Sequence, residues 1–230
     1  QSAPAAVAIG AVWMTTGRGV TMLAMQPSPP SGRGRATIVL MPASERSSSR
    51  MTKQPHAARS GAAEALKGKR VLLLGSGGAA RAVLSSLLQC GAVTDVLNRT
   101  RKKAVDMLEE LAHAGADCFC ARVADRPMPE YFLTINATPL GGAGHEEETP
   151  LSQEYMNSGA FYDCVYSPSV TRFLREAAEK GHMCRNGLGM LFEQGVLSQG
   201  LWGYEYTQQQ KAEVYDRLVR ELARREQRKG

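Results

Sequence analysis

The chain has 230 residues, 43% of them hydrophobic and 22% charged, with a formal net charge of +6. That balance suits a soluble globular protein and leaves room for one ordinary domain with tails, or two small ones. The positive charge gathers in a Ser/Arg-rich N-terminal stretch and in the run from Arg217 to Lys229, without interleaved aromatic residues, which argues against a nucleic-acid partner. No apolar run is long enough to cross a bilayer; Ala5–Met14 is apolar but short. The five cysteines (Cys90, Cys118, Cys120, Cys164, Cys184) include no C-x-x-C, and the four histidines show no metal-ligand spacing. The cysteines read as small buried hydrophobes in a reducing compartment, and no metal is expected.

Residues 1–66 lack a clear period and include Pro/Gly/Ser/Arg-rich stretches, so they read as a low-complexity or disordered segment. Within it Ala36–Met41 has the character of a single strand, which alone cannot make a stable sheet. The pattern changes near Lys67. Val71–Leu74 is an apolar run ending at glycines, the signature of a buried parallel strand. A helix is predicted over Ala79–Cys90, stopped by Gly91, then a strand over Asp95–Asn98 and a helix over Arg101–Ala114. Further strands are predicted at Asp117–Ala121, Tyr131–Asn136, Ala160–Val165 and His182–Arg185. Helices are expected at Val170–Lys180, Leu188–Gln199 and, as a charged C-terminal element (207–230), Gln208–Gln227. This alternation predicts an α/β domain over 67–206, a Rossmann-type parallel sheet with helices on both faces, preceded by a largely irregular segment.

The first strand runs into Gly75-Ser76-Gly77-Gly78-Ala79-Ala80-Arg81. In the pattern G-x-G-x-x-A, Gly75 permits a tight turn, Gly77 lets backbone approach a pyrophosphate, and Ala80 keeps the helix close to the sheet. Free N–H groups at the helix start then face the phosphates. A preceding strand and a following helix supply the context that an ordinary glycine turn lacks. The second strand ends at Asn98-Arg99-Thr100, followed by Arg101, Lys102 and Lys103. An NAD site would place an acid there for the ribose hydroxyls; guanidinium groups instead suit a ribose phosphate, so NADP is favoured over NAD.

Read together, these motifs resemble the shikimate dehydrogenase family. Its G-x-G-G-A-x-R loop is matched by Gly75–Arg81. Its N-R-T with a later basic residue is matched by Asn98, Arg99, Thr100 and Lys103. Asn136, Ala137, Thr138, Pro139 and Gly141 match N-A-T-P-x-G. Tyr162, Asp163, Tyr166, Pro168, Thr171, Phe173 and Leu174 match a longer tyrosine motif, and Asn186, Gly187, Met190, Leu191 and Gln194 match N-G-x-x-M-L-x-x-Q. The resemblance implies NADP-dependent interconversion of dehydroshikimate and shikimate. It implies that Gly75, Ser76, Gly77, Gly78 and Ala79 hold the pyrophosphate, and that Asn98, Arg99, Thr100 and Lys103 meet the ribose phosphate. Thr138, Tyr166, Gly187 and Met190 would line the nicotinamide pocket, with Tyr166 and Gln194 reaching the substrate. Met190 and Leu191 read equally as core of an amphipathic helix, and Asp163 as a carboxylate satisfying backbone groups at a strand end.

The family also has an N-terminal domain with a lysine in V-T-x-P-x-K and an aspartate in N-T-D, and neither segment occurs here. Catalytic residues are therefore not assigned. The expectation is a fragment lacking the substrate domain, cut from a longer or multifunctional chain with other shikimate-pathway domains. The alternatives are a catalytically silent NADP-binding module, or a quinate/shikimate-type dehydrogenase of another substrate. A cytoplasmic location is expected, or a plastid one where a transit peptide precedes the chain.

Overall fold

The computed structural model describes residues 65–228, together with the backbone of four short strands before them, β1 (Ala11–Thr16), β2 (Gly19–Gln26), β3 (Thr37–Val39) and β4 (Pro42–Ala43). β2 pairs antiparallel with each of the other three. β3 lies within the stretch expected to be a lone strand, and β2 supplies the partner that a single strand needs. Ala65 and Leu66, the last residues of the segment expected to be irregular, are instead helical, with Leu66 fully buried in the core; the remainder of the expectation for 1–66 lies outside the described residues.

From Arg70 onward strands and helices alternate. They are β5 (Arg70–Leu74), α1 (Gly78–Gln89), β6 (Val93–Leu97), α2 (Arg101–His113), β7 (Ala121–Val123) and β8 (Tyr131–Asn136), followed by β9 (Ser158–Asp163), α3 (Arg172–Glu179), β10 (Met183–Arg185), α4 (Leu188–Leu201) and α5 (Gln208–Gln227). The six strands form one all-parallel sheet in the order β10-β9-β8-β5-β6-β7. The chain therefore starts in the middle, winds to one edge and returns to the other side. The switch falls between β5 and β8, and a ligand crevice belongs at the carboxyl ends of those two strands.

β5 reads as continuously apolar because both its faces are covered. Val71 and Leu73 pack with Val83, Leu84 and Leu87 of α1 and with Met107 of α2. Leu72 and Leu74 pack on the opposite face with Phe161 and with Phe173 and Ala177 of α3. Phe161 and Phe173 meet edge to face, 5.5 Å apart. Each fully buried side chain of this size contributes about 1.5–3 kcal/mol.

One part of the sheet is covered differently. Residues 124–130 link β7 to β8 without a helix. The β6 residue in register with Leu72 is Asp95, and it is buried. Arg122 donates to it at 2.6 and 3.1 Å and the Tyr131 hydroxyl at 2.8 Å. Burial pushes the Asp95 carboxyl up, but the bonds from Arg122 and Tyr131 outweigh it and hold it below the ordinary carboxylate range. Polar pairing here takes the place of helix packing.

Several boundaries differ from expectation. The third strand begins at Ala121 rather than Asp117, because the Asp117 carboxylate accepts from Phe119 N (3.1 Å) and Ala121 N bonds Cys118 O (3.0 Å), closing a turn. Cys120 is consequently exposed, against the expectation for a buried thiol, whereas Cys90 is buried and Cys118, Cys164 and Cys184 are half-buried. α3 starts two residues late because the Thr171 hydroxyl caps it, accepting from Leu174 N. α5 keeps its expected span and opens with a capping box between Thr207 and Gln210. Tyr215 packs edge-on against Phe192 of α4.

Candidate functional site

Gly75 leaves β5 with φ +106°, a conformation that L side chains avoid. Its position is also crowded. A Cβ there would stand 2.9 Å from Ala137 O and 3.0 Å from Thr138 Cγ2, at the end of β8. The glycine thus brings the two strand ends at the switch point into contact. The next glycines have the opposite surroundings. A Cβ at Gly77 or Gly78 would meet nothing within 4 Å, and both residues are exposed. Gly77 caps α1 without any side-chain hydrogen bond, and no acid stands in the first turn. The first N–H groups of the helix therefore open on the crevice together with Ser76, Gly78 and Ala79, a setting suited to anionic oxygen. Ala80 is fully buried, as helix-to-sheet contact requires.

β6 ends beside this loop, where Gly75 N bonds Leu97 O at 2.8 Å. Asn98 turns back and donates to Thr100 O (2.8 Å), so it shapes the corner and does not face the crevice with a free amide. Of the four cations that follow, two are engaged. Arg101 pairs with Asp125 and Lys102 with Asp106 (2.8 Å). The side chains of Arg99 and Lys103 pair with no described residue, and both are exposed. The Thr100 hydroxyl makes no cap bond to α2. The corner thus presents two uncompensated cations and a hydroxyl.

Across the switch point, one buried network ties the ends of β8 and β9 together. Asn136 donates to Asp163 at 2.9 Å and accepts from Thr138 N (2.9 Å) and Thr138 Oγ1 (2.7 Å). Asp163 also accepts from Val165 N (2.9 Å) and from the Thr171 hydroxyl (2.6 Å). Burial pushes Asp163 up to about 6, while the bonds from Thr171, Val165 and Asn136 pull the other way. Thr138 therefore spends its hydroxyl inside the network and turns its methyl toward Gly75. Asp163 does what a carboxylate at a strand end was expected to do, and it also joins the 138–141 turn to the start of α3.

Tyr166 lies on the loop between Asp163 and Thr171 and is 38% exposed. Gly187, at the start of α4, closes against this loop. A Cβ on it would fall 2.1 Å from Cys164 O, and its N–H bonds Val165 O at 3.0 Å. Any side chain at 187 would force the helix away from the strand ends. Met190 is half-buried against the core on the α1 and α2 side. Leu191 and Phe192 instead line a cavity of about 320 Å³ between α4 and α5. Gln194 is exposed on α4, and neither its side chain nor that of Tyr166 hydrogen-bonds a described residue. The structure gathers the glycine loop, Thr138, the Tyr166 loop and Gly187 around the switch point, with Arg99, Thr100 and Lys103 at one end. Gln194 lies two helical turns beyond Gly187, and no described contact joins it to Tyr166.

Sequence reasoning missed the hub role of Asn136 and the Asp95 cluster. An acid inside the apolar run Val93–Leu97 was the available signal for the second. Among the described residues no group of His, Cys, Asp and Glu could hold a metal ion, and no helix is long and apolar enough to cross a membrane.

No protein-family model matches the chain. Among curated proteins, the shikimate dehydrogenase (NADP(+)) of Carboxydothermus hydrogenoformans is 39% identical over 139 residues, which is 59% of this chain and 50% of the relative. The protein of the same name from Moorella thermoacetica is 38% identical over 161 residues, covering 67% of this chain and 54% of that one. Among solved structures, a chorismate mutase/shikimate 5-dehydrogenase fusion protein from Clostridium acetobutylicum matches with a TM-score of 0.58 and 29% identity over 69% of this chain and 57% of its own. Shikimate 5-dehydrogenase from Thermus thermophilus, solved with NADP(H) and shikimate, matches with a TM-score of 0.54 and 36% identity, covering 66% and 56%. The chain spans about half the length of the curated relatives it matches.

Proposed function

We propose that residues 67–206 bind NADP(H) as the cofactor half of an NADP-dependent shikimate dehydrogenase, the protein that the chain resembles over that span. The observation that carries the reading is the pairing of an open glycine loop with two unpaired cations at the next strand end. The residues present fit the group. Gly77 and Gly78 leave room for a pyrophosphate against the α1 N–H groups, and no carboxylate follows β6 to repel a ribose phosphate. Arg99 and Lys103 would hold that phosphate with Thr100. Arg101 and Lys102, engaged by Asp125 and Asp106, would stay outside the contact. Thr138, Tyr166, Gly187 and Met190 would border the nicotinamide.

When bound, the cofactor supplies a hydride acceptor or donor for a secondary alcohol and ketone pair. The part of this chain is to bind and orient. Thr138, held by Asn136, would stand between the glycine loop and the ring. Tyr166 and Gln194 offer free polar side chains to a hydroxylated acid such as shikimate. No described residue is assigned the proton transfer. The test is calorimetric titration of the chain with NADP and NAD. We expect NADP to bind at least tenfold more tightly, because each hydrogen bond to a charged group contributes about 1.5–3 kcal/mol. Equal affinity for the two dinucleotides, or no binding of either, would overturn the reading.

A further inference from the structure

The Tyr166 loop is anchored at its two ends by the Asp163 network, but Ser169, in its C-terminal half, is held from elsewhere. Asn186 donates to Ser169 O at 2.8 Å. Glu226, in the last turn of α5, accepts from Ser169 N (2.5 Å) with one oxygen and from Ser169 Oγ (2.8 Å) with the other. One carboxylate thus takes both donors of a single loop residue, 57 positions earlier in the chain.

Helix lengths explain how this arises. α4 leaves the crevice at Gly187 and runs 14 residues, about 21 Å. α5 returns along it for 20 residues, about 30 Å, with Tyr215 against Phe192 fixing the pairing. The returning helix is longer than the outgoing one by about 9 Å, and that excess carries Glu226 past the start of α4 to the loop.

We propose that Glu226 is a positioning residue. By gripping Ser169 it holds the Tyr166 loop at the nicotinamide side of the crevice, so the C-terminal helix closes the cofactor site from outside the Rossmann core. The inference rests on the cofactor reading above for its functional consequence, though the grip itself does not. It makes a selective statement. The adenosine-phosphate end of the crevice, at Arg99 and Lys103, has no contact with Glu226 and is indifferent to it.

The experiment uses the full chain with Glu226→Ala, Glu226→Gln and Ser169→Ala. Amide hydrogen exchange of peptides covering 164–170 reads the grip directly, and binding of NADPH and of adenosine 2′,5′-bisphosphate reads its consequence. In Glu226→Ala we expect faster exchange in the loop and NADPH binding weakened roughly two- to tenfold, a small effect because the contact is exposed. Binding of the bisphosphate should stay within twofold of the parent. Glu226→Gln keeps an acceptor for Ser169 N and a donor for its hydroxyl, so it should restore both readouts. Ser169→Ala should fall between, having lost only the hydroxyl. Unchanged exchange in Glu226→Ala removes the grip. Faster exchange with unchanged NADPH affinity, or equal weakening of both ligands, removes the positioning role. If the parent chain binds neither ligand, the cofactor reading has failed and with it the positioning role, while the exchange arm still decides the grip.

Discussion

The two glycines of the loop should respond to the same substitution in opposite ways. At Gly75 an alanine would be placed at φ +106°, a strain of about 1–2 kcal/mol. Its Cβ would also press on Ala137 O at 2.9 Å and Ala137 C at 3.1 Å. Those are backbone atoms next to Thr138, whose N–H is bonded to Asn136, so they cannot swing aside as a flexible side-chain tip would. Overpacking of this kind costs about 1–3 kcal/mol. Together Gly75→Ala should lose about 2–5 kcal/mol, which lowers Tm by about 4–20 °C at roughly 2–4 °C per kcal/mol. At Gly77 the backbone has φ −79° and open space, so Gly77→Ala should leave the apparent Tm of the free protein within about 2 °C of the parent. Its methyl would instead intrude where the pyrophosphate is proposed to sit, weakening NADP about 5- to 150-fold for a clash of about 1–3 kcal/mol. Thermal unfolding with and without NADP, with calorimetric titration of Gly77→Ala, separates the two effects. The reasoning fails if Gly75→Ala melts with the parent, or if Gly77→Ala binds NADP undiminished.

The engaged and free cations give a second contrast. Arg99→Asp should weaken NADP about 10- to 150-fold while sparing NAD, from the loss of a charged contact of about 1.5–3 kcal/mol. Arg101→Ala should change the NADP Kd by less than about threefold, because Arg101 pairs with Asp125; parallel titrations compare the two variants. Asp163 offers a pH signature. Its folded value near 6 lies above the ordinary 3.8, so its contribution to stability is full below 3.8 and is lost as pH rises through 6, by about 3 kcal/mol at about 1.4 kcal/mol per unit. Asp163→Asn keeps an acceptor for Val165 N and a donor for Thr171, so urea denaturation between pH 4 and 7 should show a flatter profile than the parent. Asp163→Ala should lose about 3–5 kcal/mol near pH 4, since it strands the donors of Val165 and Thr171, and the deficit against the parent should shrink toward pH 7 as the parent's own carboxyl ionises. A parallel pH dependence in the Asn variant and the parent would rule out this titration. Finally, the 230-residue chain should oxidise shikimate with NADP at least about 10²-fold more slowly than a full-length family enzyme, because the V-T-x-P-x-K and N-T-D segments are absent from it. A spectrophotometric assay at 340 nm would refute this by showing comparable turnover.

Much of this protein is legible from its residues alone, and the legible part is what backbone chemistry dictates locally. A strand buried on both faces must be apolar throughout, as Val71–Leu74 is. A tight turn out of that strand calls for the glycine at 75. The lack of an acid after β6 already tilts the cofactor toward the phosphorylated form. Thr207 and Gln210 mark the start of the last helix three residues apart. What the tertiary structure alone decided is which of several like groups is free. Arg99, Lys103, Arg101 and Lys102 look equivalent in a string, and only the placement of Asp125 and Asp106 divides them into two open and two engaged. Gly187 looks like an ordinary helix start until Cys164 O is found where its side chain would be. Glu226 has no local feature to distinguish it from any other acid on a charged helix, and its meeting with Ser169 depends on the difference in length between two packed helices. Periodicity, caps and φ depend on neighbours in the chain; pairing depends on distances between elements remote in sequence, and those exist only once the sheet has folded.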